Sequence, residues 1–175
     1  AWGGCKEMLA RIRDFNLAPG GPMGPIMKAF EIIGTAQVAK SADQARSMGF
    51  LGPDDSISMN RDRLLADSKM KAMTMSHGYT PPKPYTFSLP GKTARIALEM
   101  AVSDLAKSGN ATPHDVIVTS ELAKVLSGGA VDLTDSTGEE EILTLERESI
   151  GRLGRQEDTI QRMEHMLQTG KPLRN

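Results

Sequence analysis

"KTARIALEMAVSDLAKSGNATPHDVIVTSELAKVLSGG", residues 92–129, reads as two helices joined by a short turn. In the first, Ala94, Leu98, Ala101 and Leu105 recur at the spacing of one helix face, and the run stops at Gly109. In the second, Thr112 is placed to cap the free amides of the opening turn. Pro113 suits the first helical position, where its missing N–H has no partner to lose, and Asp115 sets negative charge at the positive end of the helix dipole. Val118, Leu122 and Val125 carry the apolar face onward to Gly128 and Gly129. The period is helical throughout, and it sets the fold class as mainly α, with a helical hairpin inside it.

Upstream, the same punctuation repeats. Cys5 to Arg13 places Met8, Leu9 and Ile12 on one side, then meets "NLAPGGPMGP" (16–25), which cannot continue a helix. Pro25 fits a first helical position, with Ile26, Phe30 and Ile33 following. Ser41 is the expected N-cap of a short helix that Gly49 ends. From Asn60 to about Ser76, Ala66, Met70 and Met73 form one stripe, closed by Gly78. "YTPPKPYTFSLPG" (79–91) crowds its prolines and predicts an extended connector instead of packed secondary structure.

Downstream, Ser136 stands three residues before Glu139, the spacing of a capping box, and Ile142, Leu145, Ile150 and Leu153 face one way. A last helix, about Gln156 to Thr169, shows Ile160, Met163 and Leu167 before Gly170 and Pro172 stop it.

The totals exclude several function classes. Hydrophobic residues at 39% are enough for a packed core, so wholesale disorder is not expected. A net charge of -1 gives no electrostatic reason to bind nucleic acid or an anionic membrane. No apolar stretch approaches the roughly 18 residues needed for a membrane span. Cys5 stands alone, which rules out an internal disulfide and suits a reducing, cytoplasmic setting. Eleven methionines read mainly as fillers between helices.

Candidate chemistry is sparse. Gly91-Lys92-Thr93 mimics the end of a phosphate-binding P-loop, but that loop needs a glycine five positions earlier, where Thr86 stands. Pro90 also removes an amide that would cradle the anion. His77, His114 and His165 fall on separate helices or their ends without a second ligand at metal spacing, so solvent-facing or capping roles are expected and no metal site is assigned. Cys5 has no His nearby in sequence to act as base. Glu139, Glu140 and Glu141 sit in a first helical turn, where the dipole alone accounts for them, and Glu7 reads as a surface acid. The residues by themselves assign no catalytic group.

The order of motifs adds a resemblance. "GGCKEMLAR" (3–11) resembles the Gly-Gly helix start of enoyl-CoA hydratases in the crotonase family. "AFEIIGTAQVAKSADQARSMGFL" (29–51) resembles that family's next stretch, through Ala42, Ala45, Gly49, Phe50 and Leu51. "MNRDRLLADSKMKA", "VLSGG" and "HMLQTGKPLRN" are more closely similar to the C-terminal end of bacterial 3-hydroxyacyl-CoA dehydrogenases that carry a hydratase-like portion last. Trp2 stands where the glycine turn of the family usually has a small residue.

The resemblance implies a fold, the helical C-terminal portion of a crotonase-like α/β superhelix with an added hairpin. It implies three parts: residues 1–78 after the Gly-Gly turn, 79–131 as connector and hairpin insertion, and 132–175 as a C-terminal helical pair and tail. The family's two acids, its enolate-binding amides and its NAD-binding domain would all lie upstream, so this chain is expected to hold no cofactor, while its parent uses NAD and acyl-CoA. The implied role is that of a covering and assembly segment in fatty-acid β-oxidation, partnered by the upstream portion of the same protein, by acyl-CoA and by further copies of itself. Lys171 matches the tail lysine that the resemblance places near a CoA phosphate, a task suited to a flexible ammonium. From the residues alone, a stand-alone helical interaction or adaptor module stays open as the alternative.

Overall fold

The computed structural model describes residues 3–175, which are mainly helical. In chain order the elements are α1 (Gly4–Asp14), α2 (Met23–Gly34), α3 (Ala42–Ser47), α4 (Leu64–Ser76), β1 (Thr86–Phe87), α5 (Lys92–Lys107), α6 (Pro113–Leu126), β2 (Thr137–Gly138), α7 (Glu139–Leu153) and α8 (Glu157–Thr169). A 3-10 turn at Arg61–Arg63 leads into α4.

The predicted hairpin is α5 and α6, and α6 is the hub of the fold: it packs against α5, α7, α2 and α1. The hairpin therefore shares one core with the helices on both sides of it. Its centre is made by Leu9, Ile12, Ile26, Ile32, Leu98, Leu126 and Ile142, all essentially inaccessible to solvent. Burial of each such side chain contributes on the order of 1.5–3 kcal/mol relative to exposure.

Helix ends follow their local chemistry. Thr112 Oγ1 accepts the Asp115 N–H while Asp115 accepts the Thr112 N–H, a reciprocal cap, with Pro113 in the first turn as expected. Ser41 Oγ accepts the Gln44 N–H and caps α3. Gly49, Gly128, Gly129 and Gly170 all take positive φ where helices stop.

Four expectations are corrected. On α5 the buried face is Ala94, Leu98 and Val102, while Ala101 and Leu105 are exposed, because the helix meets α6 about a third of a turn away from the predicted seam. Ser136 does not cap α7: Gly138 is its N-cap, because Thr137 and Gly138 are drawn into antiparallel pairing with Phe87 and Thr86. That pairing also corrects the connector, since Phe87 and Leu89 are buried in the core instead of running over the surface. Finally, α2 opens at Met23, two residues before Pro25.

Candidate functional site

Gly3 precedes α1 with φ 91°, a left-handed conformation that glycine adopts without the penalty other residues meet. Trp2 lies outside the described residues. Among the described residues, no side chain in the flank of α1 caps its opening turn. Instead Glu146 of α7 reaches across, its Oε2 accepting the Gly3 N–H at 2.6 Å and its Oε1 the Lys6 N–H at 2.9 Å. Glu146 is 4% exposed, so its two acceptor oxygens meet the opening amides of the helix away from water.

Lys6 extends this junction. Its ammonium donates to Glu139 at 2.5 Å and to Glu7 at 2.6 Å, and lies 5.3 Å from the centre of the Tyr85 ring. Burial alone would lower the Lys6 pKa, but the two carboxylates outweigh it and hold it above its ordinary value. Glu139 is held below the usual range by the Lys6 hydrogen bond, helped by the Tyr85 N–H at 3.2 Å. The first-turn acids of α7 thus do more than meet a dipole: Glu139 joins α1, α7 and the chain ahead of β1. Next to this network, burial and the Glu146 charge push the Cys5 thiol up to about 12, which leaves it without nucleophilic character near neutral pH.

A second polar junction fastens α8. His114 is buried and not solvent-facing, with Nε2 2.9 Å from Thr159 Oγ1, while Nδ1 has no hydrogen-bond partner among the described residues and lies 3.8 Å from Asp158 Oδ2. Burial rather than capping is its role, which corrects the expectation for this histidine. Arg162 donates to Asp115 Oδ1 at 2.8 Å, to Thr112 Oγ1 at 3.2 Å and to the Asn175 side chain at 2.7 Å. The tail folds back over α8 through Asn175, which also donates to the Asp158 carbonyl at 3.2 Å. Lys171 sits just past the left-handed Gly170; it is exposed, and among the described residues its ammonium forms no ion pair.

The polar fastening leaves apolar surface outside. Met163, Met166 and Leu167 of α8 are exposed, Leu167 to 86%. On α4, Leu65, Met70, Met73 and Met75 are all exposed, and no residue of that helix is buried. An open groove of about 470 Å³ lies elsewhere, lined by Leu9, Ile26, Phe87, Leu89 and Leu133, with the Arg13 guanidinium 4.9 Å from the centre of the Phe87 ring.

The P-loop look-alike has a different use. Gly91 donates its N–H to the Ser127 carbonyl at 2.9 Å, and a Cβ there would stand 1.8 Å from the Val131 carbonyl oxygen. Close backbone approach requires this glycine, and its amide is not free for a phosphate. The strand ahead of it has two residues, so no Gly-rich strand-to-helix turn fit for a dinucleotide exists among the described residues. No group of three His, Cys, Asp or Glu side chains among them has metal-binding geometry. No described helix is long and apolar enough to cross a membrane.

Sequence reasoning singled out Lys171, Glu139 and His114 but missed Glu146, Lys6 and Arg162. A signal existed for Glu146: it falls four residues after Ile142 and four before Ile150, a charged residue at the register of an apolar stripe. Lys6 and Arg162 carry no such mark, since lysine and arginine at helical positions are ordinary surface residues.

No family model and no solved structure matches the chain. Among curated proteins, a probable 3-hydroxyacyl-CoA dehydrogenase of Bacillus subtilis (strain 168) is 39% identical over 155 residues. That match covers 88% of this chain and 20% of the relative, so the chain spans about a fifth of the length of the curated protein it matches. Over nearly all of its length, then, this helical chain is similar to one part of a protein named as a probable 3-hydroxyacyl-CoA dehydrogenase.

Proposed function

We propose that this chain is a covering and assembly segment of a fatty-acid β-oxidation protein related to 3-hydroxyacyl-CoA dehydrogenases, and that it is not a catalyst by itself. The observation that carries this reading is the 39% identity over 88% of the chain, confined to 20% of the named relative. The exposed faces of α4 and α8 agree with it, because a segment shaped to pack against other polypeptide leaves apolar surface uncovered. In this reading the parent carries the NAD-binding domain and a hydratase-like portion of crotonase type, and works in the cytoplasm. Its catalytic acids and its acyl-CoA pocket lie in the remaining four-fifths. In this reading Lys171, exposed at the tail, meets a CoA phosphate, and subunits meet through the helical surfaces.

The test is direct. The chain is mixed with crotonyl-CoA, and loss of the enoyl absorbance is followed. No enzyme-dependent hydration is expected; appreciable turnover would sink the idea that the chemistry lies elsewhere. CoA binding is read separately by calorimetry, with Lys171→Ala weakening any affinity that is present.

A second reading, a stand-alone helical adaptor, is favoured by one observation: the α5–α6 hairpin shares a continuous core with α1, α2 and α7, as an independently folding module would. It predicts cooperative unfolding of the chain alone and no affinity for CoA.

A further inference from the structure

Helix α4 raises a physical problem. Among the described residues, its 13 residues pack appreciably against nothing but the 3-10 turn before them, and nearly every one is solvent-exposed. Isolated helices of this length are marginal in water, so this one needs a surface to lie on. The segment that holds it is long: between Pro53 and Pro84 every residue but Ser58 and Asp67 is exposed, and those two bond to each other. It is an arm tethered at both ends.

Helix α8 has the complementary defect. It docks through Thr159 and Arg162, buries no residue, and turns Met163, Met166 and Leu167 outward. The charges beside the two apolar faces are opposite. Helix α4 carries Lys69 and Lys71, which form no ion pair among the described residues, while Asp67 is paired with Arg63 and Arg61 is offset by the neighbouring Asp62. On α8, Glu157 and Glu164 form no ion pair among the described residues, and the Arg162 charge is already committed to Asp115. A basic apolar helix and an acidic apolar helix in one chain, each without cover, match each other across copies.

We infer that α4 of one copy packs on α8 of a second copy, Met70 and Met73 against Met163 and Leu167, with Lys69 and Lys71 facing Glu157 and Glu164. The contact occurs twice in a twofold dimer, which closes the assembly. This deepens the assembly role proposed above and rests on that part of the reading alone. It involves no acyl-CoA, so it can fail while the β-oxidation assignment stands, and the reverse.

Charge reversal tests it. The 175-residue chain should self-associate in sedimentation equilibrium, more weakly as salt rises. Lys69→Glu with Lys71→Glu should weaken association about tenfold, as should Glu157→Lys with Glu164→Lys in a second protein, through lost attraction and new repulsion. Mixing the two variants should restore association to near the wild-type value, because each contact in the mixed dimer again pairs opposite charges. All four positions are exposed, so unchanged circular dichroism is expected. Met73→Ser provides an uncharged variant that should weaken association while leaving the circular dichroism of the folded chain unchanged. A wild-type chain that stays monomeric assigns the two faces to other polypeptide and overturns the proposal. Association indifferent to both reversals, or a mixture no tighter than either variant alone, overturns it equally.

Discussion

The Glu146 carboxylate accepts the backbone N–H of Lys6 at 2.9 Å, although 140 residues separate the two in sequence. This one side chain ties the start of the chain to α7 and satisfies amides that α1 cannot satisfy itself. Glu146→Ala leaves those donors buried without a partner, and a loss of about 2–3 kcal/mol is expected in urea unfolding. Glu146→Gln keeps one acceptor oxygen and should lose about half as much. Equal losses from the two variants would show that packing, and not the charge-assisted bonds, holds α1.

The direction of the pKa shifts sets the pH range of stability. Hydrogen bonds from Lys6, Arg95 and Arg152 hold Glu139, Glu99 and Glu121 below the ordinary carboxylate value. Burial opposes the shift at Asp115, but Thr112 and Arg162 overcome it and lower that pKa too. A depressed carboxylate contributes stability that is present above its unfolded pKa of about 4 and lost as pH falls through the folded value. Lys6 and Cys5 are raised, so their contribution is whole below their unfolded values and lost as pH climbs, with the thiol failing first, from about pH 8.5. Unfolding temperature should therefore be flat from about pH 5 to 8 and fall on both sides. Lys6→Met should make the acid-side fall shallower; an unchanged acid limb would disprove the Lys6–Glu139 contribution.

Gly91→Ala should be among the most damaging single substitutions in the chain, because Gly91 is buried. The new methyl would meet the Val131 carbonyl oxygen at 1.8 Å, at a backbone φ of 53°. Relief requires moving the Gly91–Ser127 contact that locks the start of α5 to the end of α6. A cost above about 3 kcal/mol is expected by thermal or urea unfolding. A near-neutral result would mean that the loop after α6 is free to shift.

Arg162→Ala should loosen α8 without unfolding the hub. The guanidinium carries bonds to Asp115, Thr112 and Asn175, while no residue of α8 is buried. Amide exchange in residues 157–175 is expected to accelerate about tenfold or more, with α1, α5 and α6 unchanged. Uniform acceleration across the chain would show that α8 belongs to the same cooperative unit as the core.

Helices, caps and stops were legible because each is local. Thr112, Pro113 and Asp115 announce the start of α6 within four residues, and Gly128 and Gly170 announce ends. What the sequence hid depends on partners far along the chain. Thr137 looks like part of a capping sequence until Phe87 offers it a strand partner. Leu105 fits the seam of α5 as well as Val102 does, and only the direction of α6 decides between them. The polar junctions were the least visible: Lys6 becomes a structural cation only because Glu139 and Tyr85 arrive from 133 and 79 positions downstream, respectively. Lys171 was found by resemblance, and its geometry is simply that of a free tail lysine.

The shielded Cys5 has a practical consequence. As the chain's one sulfhydryl, buried and held back from ionising, it is expected to react with an alkylating reagent chiefly when α1 lifts away from α7. The mass added by iodoacetamide is then a stopwatch for that lifting, one tag per opened molecule, readable in a crude extract with no engineered label.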